Sequence, residues 1–393
     1  MTVAMPRPED LSGPLPHAPA AFASRAPRRA LKATPGDAKL HNRTLVLQTL
    51  YVSGPMSRAD LARATGLTKV TVSVLVAELI SEHLLRELGQ QEAQRPGKPA
   101  ILVDLARDAF SVVALDLSDH LLVRGALLDL DGRIVARAEV ARDGAMGEAV
   151  CELAIGLAHE LQSRAEVPIL GIGIGTPGVV DDTGTVRTAP NLGWTDLPLR
   201  AIFEERTGIR TVVENDANVA ALAEYSFGDS TDNFILIAIG HGVGSGLVVS
   251  GHPVPGYRFA SGEIGQVMVG TDLGLEAPYS REHVLEHWVS VPSLTRELES
   301  RPLERKQVLR EAGQRLGIAL APVVGVLNLA EVVLAGPVDL IDGTLAEATL
   351  EILRRRTMPD SHDDLVLRTS QQGEDLILRG ATAIVLKDRL GVT

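Results

Sequence analysis

Between Ser57 and Leu85 the apolar positions recur at helical spacing on both sides of a single glycine. Ser57 and Asp60 stand in the S-x-x-acid relation of a capping box, which predicts a helix carrying Leu61 and Ala62 inward and broken at Gly66. Thr68 can cap a second helix, in which Val72, Leu75, Val76 and Leu79 fall at i, i+3, i+4 and i+7 on one face. The opposite face is polar at its amino-terminal end, where Thr68, Lys69, Thr71 and Ser73 crowd together. Leu84 to Gly89 and Ala100 to Val103 are apolar runs around the polar QQEAQRPGKP, a hairpin whose tip carries Arg95 and Lys98 beside Pro96, Gly97 and Pro99. Leu45, Val46, Leu50 and Tyr51 predict one more helix behind these elements.

Two short helices followed by a hairpin with a basic tip make a winged helix-turn-helix. A plain helical hairpin with a solvated face is the bland alternative, and the basic hairpin counts against it. Recognition helices of this kind push their amino-terminal end into the major groove. The candidate DNA-binding residues are therefore Arg58, Thr68, Lys69, Thr71 and Ser73, with Arg95 and Lys98 on backbone or minor groove.

From Ser111 the texture changes. SVVALDL reads as a buried strand, GALLDLDGRIVARAEV as a hairpin turning at Asp131 and Gly132, and Met146 to Ala165 as a helix. PILGIGIGTPGVV is a strand running into a glycine-rich loop, TVVENDANVAALAEYSFG a strand passing into a helix, and NFILIAIGHGVGSGLVVSG two strands around glycines. Ala312 to Leu329 is a long helix feeding the strand EVVLAG, and a last helix begins near Arg379 to Thr382. Strands alternating with helices indicate an α/β body in two lobes.

At 393 residues the chain is long enough for two or three domains. Its net charge of −12 is uneven: residues 39–103 hold eight Lys/Arg against five Asp/Glu, about +3, and the preceding tail is about +2, leaving about −17 on the remainder. Phosphate would repel that acidic body and confine a DNA contact to one end. Residues 1–38, rich in Pro and Ala, are expected to be disordered. Cys151 is the only cysteine, so neither an intramolecular disulfide nor a multi-thiolate zinc site can form. No run approaches the ~20 apolar residues of a membrane span, and the start of the chain lacks the compact apolar core of a secretory signal. A cytoplasmic location without membrane contact is expected.

The body resembles the ROK family (repressors, open reading frames and sugar kinases). The stretches that carry the resemblance are GIGIGTPGVVDD at 171–182, PNLGW at 190–194, ENDANVAALAE at 214–224, IGHGVGSGLVVSG at 239–251, SGEIG at 261–265 and LNLAEVVLAGPV at 327–338. The winged helix at the front is similar to the one ROK repressors carry and the kinases lack. The resemblance implies a two-lobed actin-like, ribonuclease-H-like fold with a sugar cleft between its lobes. Expected divisions are a head at 39–105, a small lobe at 106–229 with 378–393, and a large lobe at 230–377. It also implies sugar-binding roles for Gly178, Asn215, Asp216 and Glu263, with Gln266 and Glu276 as further candidates. Asp216 stands where the kinases have their catalytic base, and Glu276 in GLEAPYS resembles the glutamate ending the family's zinc segment.

Departures from the family matter as much. After Asp116 and Leu117 come Ser118, Asp119 and His120 where the kinases' phosphate loop has glycines, so a carboxylate sits where phosphate would approach. The second loop keeps Gly240, Gly242, Gly244 and Gly246 but has His241 in place of the usual threonine. Gln266 replaces the zinc-ligating histidine, the zinc cysteines are missing, and His283 and His287 at i, i+4 lack a third ligand. These residues predict a DNA-binding regulator, in most family members a repressor, without enzymatic activity, metal or cofactor. Its expected partners are a double-stranded DNA operator, a sugar or sugar-derivative effector, and a second copy in a homodimer or higher homo-oligomer. A sugar kinase with an added head and a ligand-independent DNA binder are the alternatives.

Overall fold

The computed structural model describes residues 35–90, 101–270, 276–341 and 343–392. Its head comprises helix α1 (Pro35–Ser53), strand β1 (Met56–Ser57), helices α2 (Arg58–Thr65) and α3 (Lys69–Ser81), and strands β2 (Leu85–Gln90) and β3 (Ile101–Leu105). Local chemistry sets each boundary. Ser57 Oγ accepts the Asp60 N–H at 3.2 Å, Gly66 closes α2 with φ 70°, and Thr68 Oγ1 accepts the Thr71 N–H at 3.1 Å. The two helices meet at a bend of 116°. Strand β3 lies between β1 and β2, both antiparallel to it. Strand β1 is too short to show an alternating pattern and was not anticipated. The wing tip with Arg95 and Lys98, and the expected disordered tail as far as residue 34, lie outside the described residues. Helix α1 begins at Pro35, ahead of the expected head boundary.

The small lobe is built from β4 (Ser111–Asp116), β5 (Leu122–Leu128), β6 (Ile134–Ala141), α4 (Glu148–Arg164), β7 (Ile169–Thr176), β8 (Val179–Val180), β9 (Val186–Ala189), β10 (Trp194–Leu197), α5 (Leu199–Thr207), β11 (Thr211–Asn215) and α6 (Asp216–Phe227). Its main sheet runs β11-β7-β4-β5-β6, and central β4 is buried at every position, as its unbroken apolar run demands. Edge strand β6 instead alternates between half-buried and exposed residues. The large lobe comprises β12 (Phe234–Ile239), β13 (Val243–Val249), β14 (His252–Pro253), α7 (Leu285–Val289), α8 (Val291–Ser300), α9 (Arg305–Leu327), β15 (Glu331–Ala335), α10 (Val338–Ile341), α11 (Thr344–Arg356), α12 (Pro359–His362) and β16 (Val366–Thr369). Its sheet runs β14-β13-β12-β15-β16. The last helix, α13 (Leu376–Leu390), returns to pack on the small lobe. Helices α9 and α13 both begin earlier than periodicity suggested, because Val308, Leu309, Leu376 and Leu378 are buried. Among the described residues no single helix is long and apolar enough to cross a membrane.

Three glycines let helix backbones approach what a side chain would keep apart. A Cβ on Gly246 of β13 would lie 2.4 Å from the Ala217 carbonyl of α6. One on Gly380 of α13 would lie 1.9 Å from the Val219 carbonyl, and one on Gly173 of β7 1.9 Å from that of Ala381. Helix α6 is thus gripped between the large-lobe sheet and α13. The buried carboxylates of Glu224 and Glu331 share Arg368, whose Nη2 donates to Glu224 at 2.9 Å and whose Nε donates to Glu331, tying α6 to β15 and β16.

The head shares a core with the body. Val46, Leu47 and Leu50 of α1, Leu61, Val72 and Leu79 of the helix pair, and Val103 and Leu105 of the wing cluster with Val112, Val385, Leu386, Leu390 and Val392. Arg107 donates to the Tyr51 carbonyl at 3.2 Å and to Asp131 at 2.6 Å, and Gln48 donates to the Gly391 carbonyl at 2.7 Å. A Gly380→Ala substitution should destabilise the chain by about 1–3 kcal/mol or more, because the Val219 carbonyl is backbone and cannot swing aside. Urea unfolding measures this, and a neutral result would show that α6 and α13 are not in such close contact.

Candidate functional site

The junction of β11 and α6 builds the core of the cleft. Asn215 is the N-cap of α6: its Oδ1 accepts the N–H groups of Ala217 and Asn218 at 3.0 and 3.1 Å, while its Nδ2 donates to the Gly178 carbonyl at 2.9 Å. One amide N–H therefore remains for a ligand, and the side chain acts chiefly by holding two loops together. Gly178 has φ 95°, and a Cβ there would lie 2.0 Å from the Thr188 carbonyl. Asp216 follows at the first helical position, and its carboxyl also accepts the Ala217 N–H at 2.8 Å. Burial pushes its pKa up to about 6, helped by the neighbouring charges of Asp116 and Glu263. Asp116, at the end of β4, is itself buried and likewise raised.

Glu263 comes from the opposite lobe. Gly262 and Gly265 on either side of it press against the Ser245 and Val243 carbonyls of β13, which fixes the loop. Its pKa is raised by burial and by the charge of Glu286, although the residue keeps solvent exposure, as an open cleft allows. Gln266 Nε2 lies 3.4 Å from Glu286, and its Oε1 accepts the Tyr279 hydroxyl at 3.0 Å. Glu286, near the start of α7, thus pairs with Gln266, and its charge acts on Glu263. Glu276 is exposed, and among the described residues no hydrogen bond links it to Asp216, Glu263 or Gln266. Glu276 is a sugar-binding candidate because GLEAPYS resembles the end of the family's zinc segment. Glu286 of α7, which the spacing did not single out, is the glutamate within reach of Gln266.

On the nucleotide side of the family's cleft several loop amides are bonded within the chain. Asp119 Oδ1 accepts the N–H groups of Leu121 and Leu122 at 2.7 and 3.2 Å, and Asp116 Oδ1 accepts that of Ser118 at 2.9 Å. In the second loop Gly240 N–H is bonded to the Gly242 carbonyl, and Glu286 takes the Val243 N–H at 2.9 Å. His120 and His241, one from each loop, stack with ring centroids 4.4 Å apart. This contact was legible only as two separate departures from the family pattern. His287 packs against the edge of Trp288. Among the described residues no group of three or more His, Cys, Asp or Glu is placed to hold a metal ion.

In the head, Arg58 donates to Glu87 of β2 at 2.9 Å, and the Thr68 and Thr71 hydroxyls lie 2.9 Å from each other. Lys69 and Ser73 project into solvent from α3. Of the described DNA-binding candidates these two are the most available to an incoming duplex.

The chain belongs to the ROK family, whose family model matches residues 113–388. The xylose repressor of Caldicellulosiruptor bescii is 24% identical over 387 residues, covering 89% of this chain and 96% of its own length. A glucokinase of Halalkalibacterium halodurans is 28% identical over 293 residues, covering 64% of this chain and 88% of its own. Among solved structures, a ROK family transcriptional regulator described as a homolog of E. coli MLC protein shares the fold with a TM-score of 0.79 at 24% identity, over 90% of this chain and 97% of that one.

The raised pKa of Asp216 has a signed consequence. The native state binds this proton more tightly than the unfolded chain, so its stabilising contribution is complete below about pH 3.8 and is lost as pH rises through about 6. Asp216→Asn keeps the acceptor for Ala217 and removes the charge. It should therefore raise stability by roughly 1–2 kcal/mol at pH 7.5, allowing for the open cleft, and by almost nothing at pH 4. Melting temperatures across that range check this, and a pH-independent gain would remove charge burial as the cause.

Proposed function

We propose that this chain is a DNA-binding transcriptional regulator of the repressor kind, not an enzyme, controlled by a neutral sugar bound between its lobes. One observation carries the effector class: besides burial, the charges of Asp116 and Glu263 raise the pKa of Asp216, and the charge of Glu286 raises that of Glu263. Such a site offers acceptors to hydroxyl donors and repels phosphates and carboxylates. Sugar-binding roles are proposed for Asp216, Glu263 and Gln266, with Glu286 added, and a close-approach and positioning role for Gly178 and Asn215. The repressor named above aligns over a larger share of this chain than the glucokinase does, which supports a regulator. Phosphoryl transfer is disfavoured because several amides in and beside the phosphate loops are bonded internally and a histidine pair lies between the loops.

The coupling proceeds through the lobes. The head shares its core with the small lobe and α13, so it travels with that lobe. A sugar that draws the large lobe towards the small one changes the spacing of two heads in a symmetric dimer, and paired half-sites fix the spacing DNA requires. The ligand must bind the two arrangements unequally for this to act. The cytoplasm is the proposed place of action.

A thermal-shift screen tests the effector: one or a few neutral sugars should raise the melting temperature, and sugar phosphates and ATP with magnesium should not. ADP production from ATP and a sugar would instead restore the kinase reading. For the head, Lys69→Ala should weaken binding to a duplex selected from a random pool and lower the slope of log K against log salt by about one. Unchanged affinity across a salt series would remove Lys69 from the interface.

A further inference from the structure

Helix α3 carries four valines in two environments. Val72 and Val76 are fully buried in the core of the head, whereas Val70 is 75% and Val74 53% exposed. The exposed pair lies at i, i+4 and forms one stripe with Lys69, Ser73 and Ala77, all in solvent. Folding gives no reason for it. β-Branched residues are poor formers at exposed helix positions, and their methyl groups gain nothing from contact with water. A single exposed valine is ordinary, but two on the outward face of the helix that a helix-turn-helix presents to DNA are concentrated where sequence is read. The polar candidates nearby are partly spent: Thr68 and Thr71 bond to each other, and Arg58 is paired with Glu87.

We propose that Val70 and Val74 are specificity-determining residues that read thymine C5-methyl groups in the major groove. This rests on the reading of the chain as a DNA binder and adds what it recognises. The thymine methyl is the apolar feature of the major groove, and an apolar side chain is its natural partner. Side chains at i, i+4 stand about 5–6 Å apart, and base steps are about 3.4 Å, so the two valines address thymines one or two steps apart in each half-site. Lys69 at the start of the stripe holds phosphate, and Ser73 between the valines contributes a hydroxyl that accepts or donates to a base edge.

The test uses the full chain and a duplex enriched by it from a random pool. Each thymine is replaced in turn by deoxyuridine, which lacks only the methyl group. Wild-type affinity should fall about fourfold at one or two positions per half-site, the worth of one buried methyl group. At each such position the loss should vanish in either Val70→Ala or Val74→Ala, whose melting temperatures should be unchanged or higher because alanine is the better helix former. Failure to enrich any duplex would sink the DNA-binding reading and this proposal with it. An enriched duplex that tolerates deoxyuridine everywhere, or whose losses persist in both variants, would overturn the methyl contacts alone. So would valine variants that alter oligomeric state without altering discrimination, which would assign this face to a protein partner.

Discussion

Helix α6 has backbone where most helices have side chains to spare. Gly246 and Gly380 let a strand of one lobe and the last helix of the chain approach its carbonyls, and nothing larger than glycine fits at either place. The cleft depends on that grip. Asp216 sits at the amino-terminal end of α6, so its position relative to both lobes is set by rigid backbone contact and by the Asn215 cap. Helix ends held this way keep a carboxylate in place even when burial and neighbouring charge oppose its ionisation.

The same cleft shows how a fold can be kept while its chemistry changes. Two loops that cradle phosphates in the kinases depend on free backbone N–H groups. Here carboxylates of the chain itself, from Asp119, Asp116 and Glu286, accept hydrogen bonds from four N–H groups in and beside these loops, those of Ser118, Leu121, Leu122 and Val243. Phosphate would have to displace an internal anion and approach other acids. A hydroxyl-rich neutral ligand meets neither obstacle.

Docking of the head follows the same economy of contact. Its core is continuous with Val112 of β4 and with Leu386 and Leu390 of α13, and Arg107 bridges the end of α1 to the turn at Asp131. A head joined by a bare linker would respond weakly to events in the cleft. One fused to a lobe moves when that lobe moves, so the proposed control of DNA affinity needs only a lobe motion and a second head at fixed distance.

Much of this was legible in the residues. The caps at Ser57 and Thr68, the glycine between them, the alternation of strands and helices, and the loss of phosphate-loop glycines are all local, and local chemistry can be read along a chain. The family motifs likewise singled out Gly178, Asn215, Asp216, Glu263 and Gln266 as candidates. What escaped was non-local. Glu286 was not singled out because only packing of α7 against the β12–β13 loop brings it to Gln266. The His120–His241 stack joins residues far apart in sequence, and the two-residue β1 has no periodicity to reveal it. The sequence by itself determined which elements form and which chemistry is missing, because hydrogen bonds to near neighbours and apolar period set both. Tertiary structure alone decided which acids face one another and which rings stack, because distance and burial belong to the packed chain.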